Sequence, residues 1–381
     1  MKQRIDTIEV LKQLISIPSW VEGTKDERLL GEFIFQWLSK NTSLEVKKEC
    51  VSEGRFNVIA GDDVSTRMLM VGHMDTVLPG NSLTKGPIKP VVDGDRLYGL
   101  GSSDMKSGLA VMMTLAASNK LPAGSCMLFY VDEEYDFAGM RKFVFDYKGK
   151  IKPEQIISFD GGGLKVGNGC RGLIEIRVTV TGQSGHAARP ESGRNAIVGA
   201  NEMIEDLCDW LDENTDPVLG PTSCNLAYMN GGGMQGNVIP DNCEFILDIR
   251  PSKPEINAKS VLERLEASAV ERGVKITGKQ IRHDLGSWLT NQKDIPITEL
   301  GLPLNELGQT GYIDVQMLWQ SFNRVPCWVV GAAELGMAHK ADEYVLVSKL
   351  KQFEEIMLRF VTKTPSRSDL VGVILVDSVW V

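Results

Sequence analysis

The sequence predicts a two-domain α/β protein in which an α+β domain is inserted into a sheet flanked by helices. The chain has 381 residues, which is long for a single hydrophobic core and suits two domains. Short apolar runs alternate with helical patterns before about residue 173 and again after about residue 285, as in an α/β layer. Between these positions, alternating apolar and polar residues indicate strands with one buried face.

The first part of the chain is predicted to contain two helices and then buried parallel strands. Apolar residues from Ile8 to Ile15 have helical spacing, and the pattern Thr24–Glu27 is typical of a capping box that opens a second helix. Strands are predicted at 68–71, 126–131 and 156–159, with a helix at 107–120. Sites form at the carboxyl ends of such strands, so the polar residues that follow them are candidates for chemistry.

The middle of the chain has the order β-α-β-β-α-β, which is the split pattern of a ferredoxin-like layer. Its predicted elements are a strand at 174–180, a helix at 194–211, strands at 223–229 and 243–250, a helix at 256–271 and a strand at 274–281. A strand predicted at 326–330 and a helix predicted at 348–361 return to the alternation of buried strand and helix found before residue 173. The predicted domains are therefore 1–172 with 286–363, the insert 173–285, and an apolar tail, 364–381, to which no role is assigned.

Composition excludes several classes of function. The formal net charge is −9, with no run rich in Lys and Arg, so binding to nucleic acid is not expected. No stretch of 18 apolar residues is present and the N-terminus is charged, which predicts a cytoplasmic protein without a membrane span. The seven cysteines are odd in number and form no CxxC pair. We expect buried free thiols, with neither disulfides nor a cysteine zinc site.

Histidines and carboxylates cluster where the predicted strands end. They are His73 and Asp75 after the first strand, Glu133 and Glu134 after the second, Asp160 after the third, Asp104 at the start of a helix, and His339 late in the chain. Carboxylates brought together in this way repel one another unless a cation neutralises them. Two imidazoles with several carboxylates and no thiolate suit zinc, and also cobalt or manganese.

Two short patterns point to roles around such a metal. In His73-x-Asp75, a carboxylate that accepts the second ring N–H of a ligating histidine fixes the tautomer of that histidine. In the pair Glu133-Glu134, one carboxylate can hold the ion while the other takes a proton from water. Taken alone, this pair also fits a solvated acidic loop. His283 matches no motif and is interpreted as structural or solvent-exposed.

Six motifs together resemble the M20 family of metallopeptidases and deacylases. They are GHMDTV at 72–77, LYGLGSSDMKSG at 97–108, DEE at 132–134, the single Asp160, GQSGHAARPESGRNAI at 182–197 and AHKADE at 338–343. The family includes acetylornithine deacetylase, succinyl-diaminopimelate desuccinylase and glutamate carboxypeptidase. The resemblance covers roughly residues 5–363 in the family's order. It implies a zinc-peptidase-like mixed sheet flanked by helices, with an inserted ferredoxin-like dimerisation (lid) domain.

The resemblance also assigns roles to single residues. It implies that Asp104 bridges two Zn²⁺ ions, with the first site completed by His73 and Asp160 and the second by Glu134 and His339. It gives Glu133 the role of general base and Asp75 that of the carboxylate that orients a histidine. In an expected homodimer, His186 would reach the partner's substrate, and Asn237 and Arg250 match substrate-binding positions.

The hypothesis that follows is a two-zinc amidohydrolase acting on a small N-acyl amino acid, with Co²⁺ or Mn²⁺ as possible replacements for zinc. The stretch DEEYDFAGMRKF at 132–143 resembles the acetylornithine deacetylase-like members. A dipeptidase or carboxypeptidase of the same family is the alternative. Residues 308–314 match the family's substrate-loop pattern only loosely and therefore assign no substrate. An inactive binding or scaffold homologue is a further alternative, against which the intact Glu133 and the complete ligand set argue.

Overall fold

The computed structural model describes residues 5–22, 26–80, 83–306 and 315–363. It divides into two compact units. Of these described residues, unit 1 contains those between 5 and 168, those from 290 to 305 and those from 317 to 363, and unit 2 contains those from 169 to 289 together with 306, 315 and 316. Each unit has its own apolar core.

The helices and strands of the described residues have the following bounds. The helices are α1 (Thr7–Ile15), α2 (Arg28–Asn41), α3 (Lys106–Ala117), α4 (Ala138–Tyr147), α5 (Ala196–Glu213), α6 (Ala258–Glu271), α7 (Ile297–Leu300), α8 (Val315–Ser321) and α9 (Val347–Lys363). The strands before residue 168 are β1 (Val46–Ser52), β2 (Arg55–Gly61), β3 (Met68–His73), β4 (Val91–Asp93), β5 (Arg96–Tyr98), β6 (Ser125–Tyr130), β7 (Gln155–Ser158) and β8 (Val166–Gly167). The later strands are β9 (Gly169–Cys170), β10 (Leu173–Thr181), β11 (Ser223–Gly231), β12 (Asn242–Arg250), β13 (Lys275–Leu285), β14 (Trp288–Leu289), β15 (Cys327–Val330) and β16 (Tyr344–Leu346).

Unit 1 is built on a mixed sheet with the strand order β1-β2-β6-β3-β7-β15-β8. β3 pairs in parallel with both β6 and β7, and β15 pairs in parallel with β7. β1, β2 and β8 pair antiparallel with their neighbours. The central strands β3 and β6 are buried along their whole length, which explains their continuous apolar runs.

The helices of unit 1 bury apolar faces against this sheet. In α1, the side chain of Asp6 caps the helix by accepting the backbone N–H of Ile8 at 3.0 Å. Residues from Ile8 to Ile15 in α1 form the buried face that their spacing predicts. In α3, nearly every residue is buried, Ala117 at its end excepted. A helix that is apolar all round lies inside the core. α3, which begins shortly after Asp104, is therefore packed against the core on all sides.

Unit 2 contains the sheet order β11-β12-β10-β13 with all pairs antiparallel. Its helices α5 and α6 belong to the core cluster on one face of this sheet. Both helices have capped N-termini: the Asn195 side chain accepts backbone N–H groups in α5, and Asn257 and Ser260 form a capping box in α6. This ferredoxin-like order, together with the mixed sheet of unit 1, confirms the predicted fold class.

Several features differ from the sequence-based expectations, among them the following. The predicted helix start at Thr24 lies partly outside the described residues, and α2 begins at Arg28. Glu27 precedes α2 without a side-chain cap bond to it, and its carboxylate accepts two N–H groups of Arg55 at 2.6 and 2.9 Å. The hairpin β1–β2 was not predicted. Cys50 is exposed and Cys208 and Cys224 are half-buried, although buried thiols were expected.

A helix that crosses a bilayer must be both long and apolar, and this applies to each helix of the described residues. None of them meets both requirements for crossing a membrane. The tail at 364–381 and the stretch at 308–314, on which two predictions bear, lie outside the described residues.

Candidate metal centre

The candidate ligands meet at one edge of the mixed sheet of unit 1. His73 is the last residue of β3, Glu134 follows the end of β6, and Asp160 follows β7. Since these three strands are parallel neighbours, their carboxyl ends share an edge. Asp104 reaches this edge from the loop before α3, and His339 from the loop before β16.

The five side chains form two groups that share Asp104. Ligand atoms of His73, Asp104 and Asp160 all lie within 4.8 Å of one another, and so do those of Asp104, Glu134 and His339. In the first group, His73 Nε2 is 3.1 Å from Asp104 Oδ1 and 3.9 Å from Asp160 Oδ2. In the second, His339 Nε2 is 3.3 Å from Asp104 Oδ2 and 3.1 Å from Glu134 Oε2. Asp104 therefore offers one oxygen to each group.

The chemistry of these donors fits a pair of divalent metal ions. Each group offers one imidazole nitrogen and two carboxylates, without any thiolate. Such nitrogen and oxygen sets suit zinc, cobalt or manganese, whereas calcium and magnesium prefer oxygen alone. Three carboxylates at this spacing also need positive charge between them. The residues present therefore fit the group that the sequence predicted.

Burial and charge set the electrostatics of the site. Burial would lower the pKa of His73, but the carboxylates of Asp104 and Asp75 outweigh burial and raise it. Hydrogen bonds to Asp104 and Glu134 raise the pKa of His339 to about 10. Glu133 is 6% exposed, and burial, with the neighbouring carboxylates, raises its pKa well above the ordinary value. The site thus strongly favours positive charge.

Asp75 holds the acidic pair in addition to facing His73. Its carboxylate oxygens accept the backbone N–H of Glu133 at 3.1 Å and of Glu134 at 2.9 Å. His73 Nδ1 lies 3.1 Å from the backbone carbonyl oxygen of Asp75 and 3.5 Å from its carboxylate. A carbonyl oxygen can only accept, so Nδ1 is the donor in this contact, while Nε2 faces Asp104 in the first ligand group. The sequence indicated the contact with the histidine but not the contact with the acidic pair.

An ion-pair network, which the sequence did not indicate, supports the turn that carries Glu133. Arg55 donates to Glu27 and also to Asp132 Oδ1, at 2.7 Å. The Asp132 backbone N–H donates to Glu27 at 3.0 Å, and Asp132 has a φ of +73°. Residues with side chains rarely hold this left-handed conformation unless their surroundings fix it. Because Glu27, Arg55 and Asp132 are far apart in sequence, no local pattern could have shown this network.

The remaining predicted residues, His186, Asn237 and Arg250, lie in unit 2. The loops that carry His186 and Asn237 are paired: the backbone N–H of Ala187 donates to the Asn237 carbonyl at 2.9 Å. His186 is exposed, and its Nδ1 accepts the backbone N–H of Ala188 at 3.1 Å. Arg250 forms a two-point ion pair with Asp248 at 2.7 and 2.9 Å, so a substrate carboxylate would compete with Asp248 for this guanidinium.

Of the four histidines of the chain, His283 is the one that matches no motif. It lies in β13 of unit 2 and is 4% exposed. Its burial within a strand agrees with the structural interpretation made from the sequence.

Comparison with known proteins gives consistent matches along the chain. A family model described as the M20 peptidase dimerisation domain matches residues 168–277. An acetylornithine deacetylase from Proteus mirabilis is 27% identical, with 92% of this chain and 94% of the relative covered. A succinyl-diaminopimelate desuccinylase from Erythrobacter litoralis is 26% identical, with 92% and 97% covered.

Solved structures agree with the fold. An M20 family metallo-carboxypeptidase from Sulfolobus solfataricus superposes with a TM-score of 0.76 at 14% identity, covering 94% of this chain and 99% of that one. A tripeptidase from Staphylococcus aureus has a TM-score of 0.71 at 20% identity, with the same shares covered. At these identities the likeness concerns the fold alone.

Proposed function

We propose that this chain, a member of the M20 family of metal-dependent hydrolases, uses two zinc ions to hydrolyse the amide bond of a small N-acyl amino acid. The observation that carries the proposal is the shared position of Asp104, which offers one oxygen to each of two ligand groups. The deacylase names of the two curated relatives support the choice of an acyl amino acid.

The proposed ligand assignment follows the two groups. His73 and Asp160 would hold one ion, Glu134 and His339 the other, and Asp104 both. Bound there, two zinc ions would polarise the amide carbonyl and lower the pKa of a nearby water. Cobalt or manganese could fill the same donor set.

Glu133 is the proposed general base. Its backbone N–H is held by Asp75, and its carboxyl lies close enough to His73, Glu134 and Asp160 for their charges to act on its pKa. In this proposal Glu133 takes a proton from water as the water oxygen bonds to the amide carbon. The C–N bond then breaks and Glu133 gives the proton to the leaving amine nitrogen.

Unit 2 is proposed to make the enzyme a homodimer. The match of residues 168–277 to a peptidase dimerisation domain supports this. His186 of one subunit would donate a hydrogen bond to the oxyanion in the partner's cleft, and Arg250 would bind the substrate carboxylate in a two-point manner. Asn237, whose loop pairs with that of His186, would contact the same substrate.

Turnover of a substrate panel tests the proposal. N-acetyl amino acids, N-succinyl amino acids and dipeptides would be assayed with Zn²⁺, Co²⁺ and Mn²⁺ in turn. We expect at least one acyl amino acid to be hydrolysed faster than any dipeptide. Preference for dipeptides would favour the peptidase alternative, and no hydrolysis with any metal would favour the inactive scaffold homologue.

A further inference from the structure

Glu343 joins the two loops that carry Asp104 and His339. It is 3% exposed and lies four residues after His339. Its carboxylate accepts three backbone N–H groups of the loop before α3: from Gly101 at 2.8 Å, from Ser103 at 2.7 Å and from Asp104 at 2.8 Å. We propose that Glu343 is a positioning residue of the metal centre, which fixes Asp104 relative to His339; this inference rests on the proposed metal binding.

The loop at 99–104 needs an anion at this place. Gly101 has a φ of +79°, and the backbone N–H groups that follow it converge on one point, as in the nests that bind anions. The Glu343 carboxylate fills that point with both of its oxygens. The backbone N–H of Gly99 also donates to the Glu343 carbonyl at 3.0 Å. The loop is therefore tied to residue 343 through its side chain and its backbone.

Ser103 strengthens the same connection between the two loops. Its hydroxyl donates to the backbone carbonyl of Tyr344 at 2.8 Å and accepts the backbone N–H of Glu334 at 3.0 Å. The segment that contains His339 is thus joined to the Asp104 loop on both sides of the histidine. His339 itself has a side chain that is 54% exposed, so packing alone does not hold it in place.

The precision of metal coordination makes this connection functional. Metal–ligand distances vary by only about 0.2 Å between good sites, while Asp104 and His339 come from positions far apart in the chain. Asp104 must direct an oxygen to each ligand group. Nε2 of His339 must lie beside one of these oxygens, Oδ2, from which it is 3.3 Å away. Because Glu343 binds the backbone of Asp104 directly, a change in its carboxylate moves one ligand relative to the other.

The neighbouring Asp342 supplies a matched control. Its carboxylate accepts the backbone N–H groups of Thr84 and Lys85 at 2.8 and 2.9 Å. The loop it holds contains no candidate ligand among the described residues. Asp342 and Glu343 therefore make the same kind of bond from adjacent positions, but only Glu343 connects two ligand loops.

The first experiment compares Glu343→Gln with Asp342→Asn. Glutamine has the size of glutamate, but its NH₂ group cannot accept the N–H of the loop. Titrating chelator-treated protein with Zn²⁺ by calorimetry, we expect Glu343→Gln to bind metal about 10- to 100-fold more weakly, the scale found for residues that orient ligands. Asp342→Asn should bind metal as tightly as the wild type. Thermal unfolding of both variants checks that they are folded.

The outcomes separate this inference from the proposed function. If wild-type protein binds no Zn²⁺, the proposed function itself fails. If the wild type binds Zn²⁺ and Glu343→Gln binds it equally tightly, the positioning role is wrong. Equal weakening in Glu343→Gln and Asp342→Asn would also overturn it, because the effect would then belong to the whole segment.

A second measurement needs no substitution and applies even if Glu343→Gln does not fold. In chelator-treated wild-type protein, hydrogen exchange of the peptide that covers residues 99–105 would be followed by mass spectrometry. We expect slow exchange, because Glu343 accepts these N–H groups through protein contacts alone. Exchange as fast as in an unstructured peptide, with protection appearing only after Zn²⁺ is added, would overturn the proposal.

Discussion

Asp104 directs Oδ1 at Nε2 of His73, 3.1 Å away, and its second oxygen lies in the other ligand group. This arrangement makes both proposed ions depend on one side chain. Metal analysis of wild-type protein purified without chelator should find about two divalent ions per chain, since five ligands exceed the need of one tetrahedral site.

Asp104→Ala should lose both ions. Removing a shared ligand leaves each group with only two donors from the set. Metal content measured by inductively coupled plasma mass spectrometry after dialysis tests this. One ion that stays tightly bound in the variant would show that Asp104 belongs to a single site.

The adjacent glutamates should separate into a base and a ligand. Glu133→Gln should keep its metals and lose turnover by about 10²-fold or more, the scale of a positioned general base. Glu134→Gln should lose metal affinity first, because Glu134 lies 3.1 Å from His339 in the second group. Metal content and kcat measured on both variants decide this, and equal metal loss would show that the two roles are divided wrongly.

His186 should act across a dimer. His186→Ala should bind metal normally but lose about 10²- to 10³-fold in turnover, the effect of removing one oxyanion donor. Mixing His186→Ala chains with Glu133→Gln chains should restore up to about a quarter of the wild-type sites, because one cleft of each mixed dimer receives both groups. Mixed dimers that are confirmed by native mass spectrometry but remain inactive would contradict action across the interface.

Arg55 should be a large contributor to the stability of unit 1. Arg55→Met leaves the carboxylates of Glu27 and Asp132 buried without their shared cation, which we expect to lower the free energy of unfolding by about 3 kcal/mol. Arg67→Met is the control, because Arg67 pairs with Glu154, whose side chain is 62% exposed. Pairs of this exposed kind contribute about 1 kcal/mol or less. Urea unfolding of both variants measures the difference, and equal losses would count against the network.

Glu49 should make the folded state less stable as the pH rises. Burial, opposed by a hydrogen bond from Asn57, raises the pKa of Glu49 to about 7. The folded state therefore binds a proton that the unfolded state releases above about pH 4.5. The contribution of Glu49 to the stability of the folded state is therefore fully present below about pH 4.5 and is lost as the pH rises through 7.

Glu49→Gln should remove this dependence. Its amide oxygen can still accept from Asn57 Nδ2, which lies 2.7 Å from the carboxylate in the wild type. Relative to the wild type, we expect the variant to gain about 1–2 kcal/mol at pH 8 and little at pH 4.5, allowing for solvent screening. Glu53→Gln, in the exposed turn of the same hairpin, is the control. Parallel pH profiles for wild type and Glu49→Gln would contradict the assignment.

Much of the fold followed from the sequence because the strongest patterns are local. The continuous apolar runs of β3 and β6 reflect burial on both faces of the strand. The alternation in β10 reflects burial on one face only. The hairpin β1–β2 was missed because the burial pattern of β1 is mostly partial or exposed. α2 begins at Arg28 rather than at Thr24, and just before it Glu27 pairs with Arg55, a contact that a local pattern cannot reveal.

The candidate site was likewise predictable from the sequence only in part. The motifs and the ends of the strands were enough to predict which side chains meet, since parallel neighbours bring His73 and Asp160 to one edge. The supporting contacts were not visible in the sequence. Asp75 accepts a hydrogen bond from the backbone of Glu133, and Glu343 accepts one from the backbone of Asp104. The partners of main-chain groups in such loops depend on tertiary geometry.

The order of the ligands along the chain imposes an order on assembly during synthesis. A growing chain has made His73, Asp104 and Asp160 before unit 2 begins, whereas His339 emerges only after unit 2 is complete. β15, which lies next to β7 in the sheet, is made equally late. One candidate group is therefore complete in sequence before unit 2 is made, whereas the other waits for His339, and Glu343, which binds the Asp104 loop, is made later still.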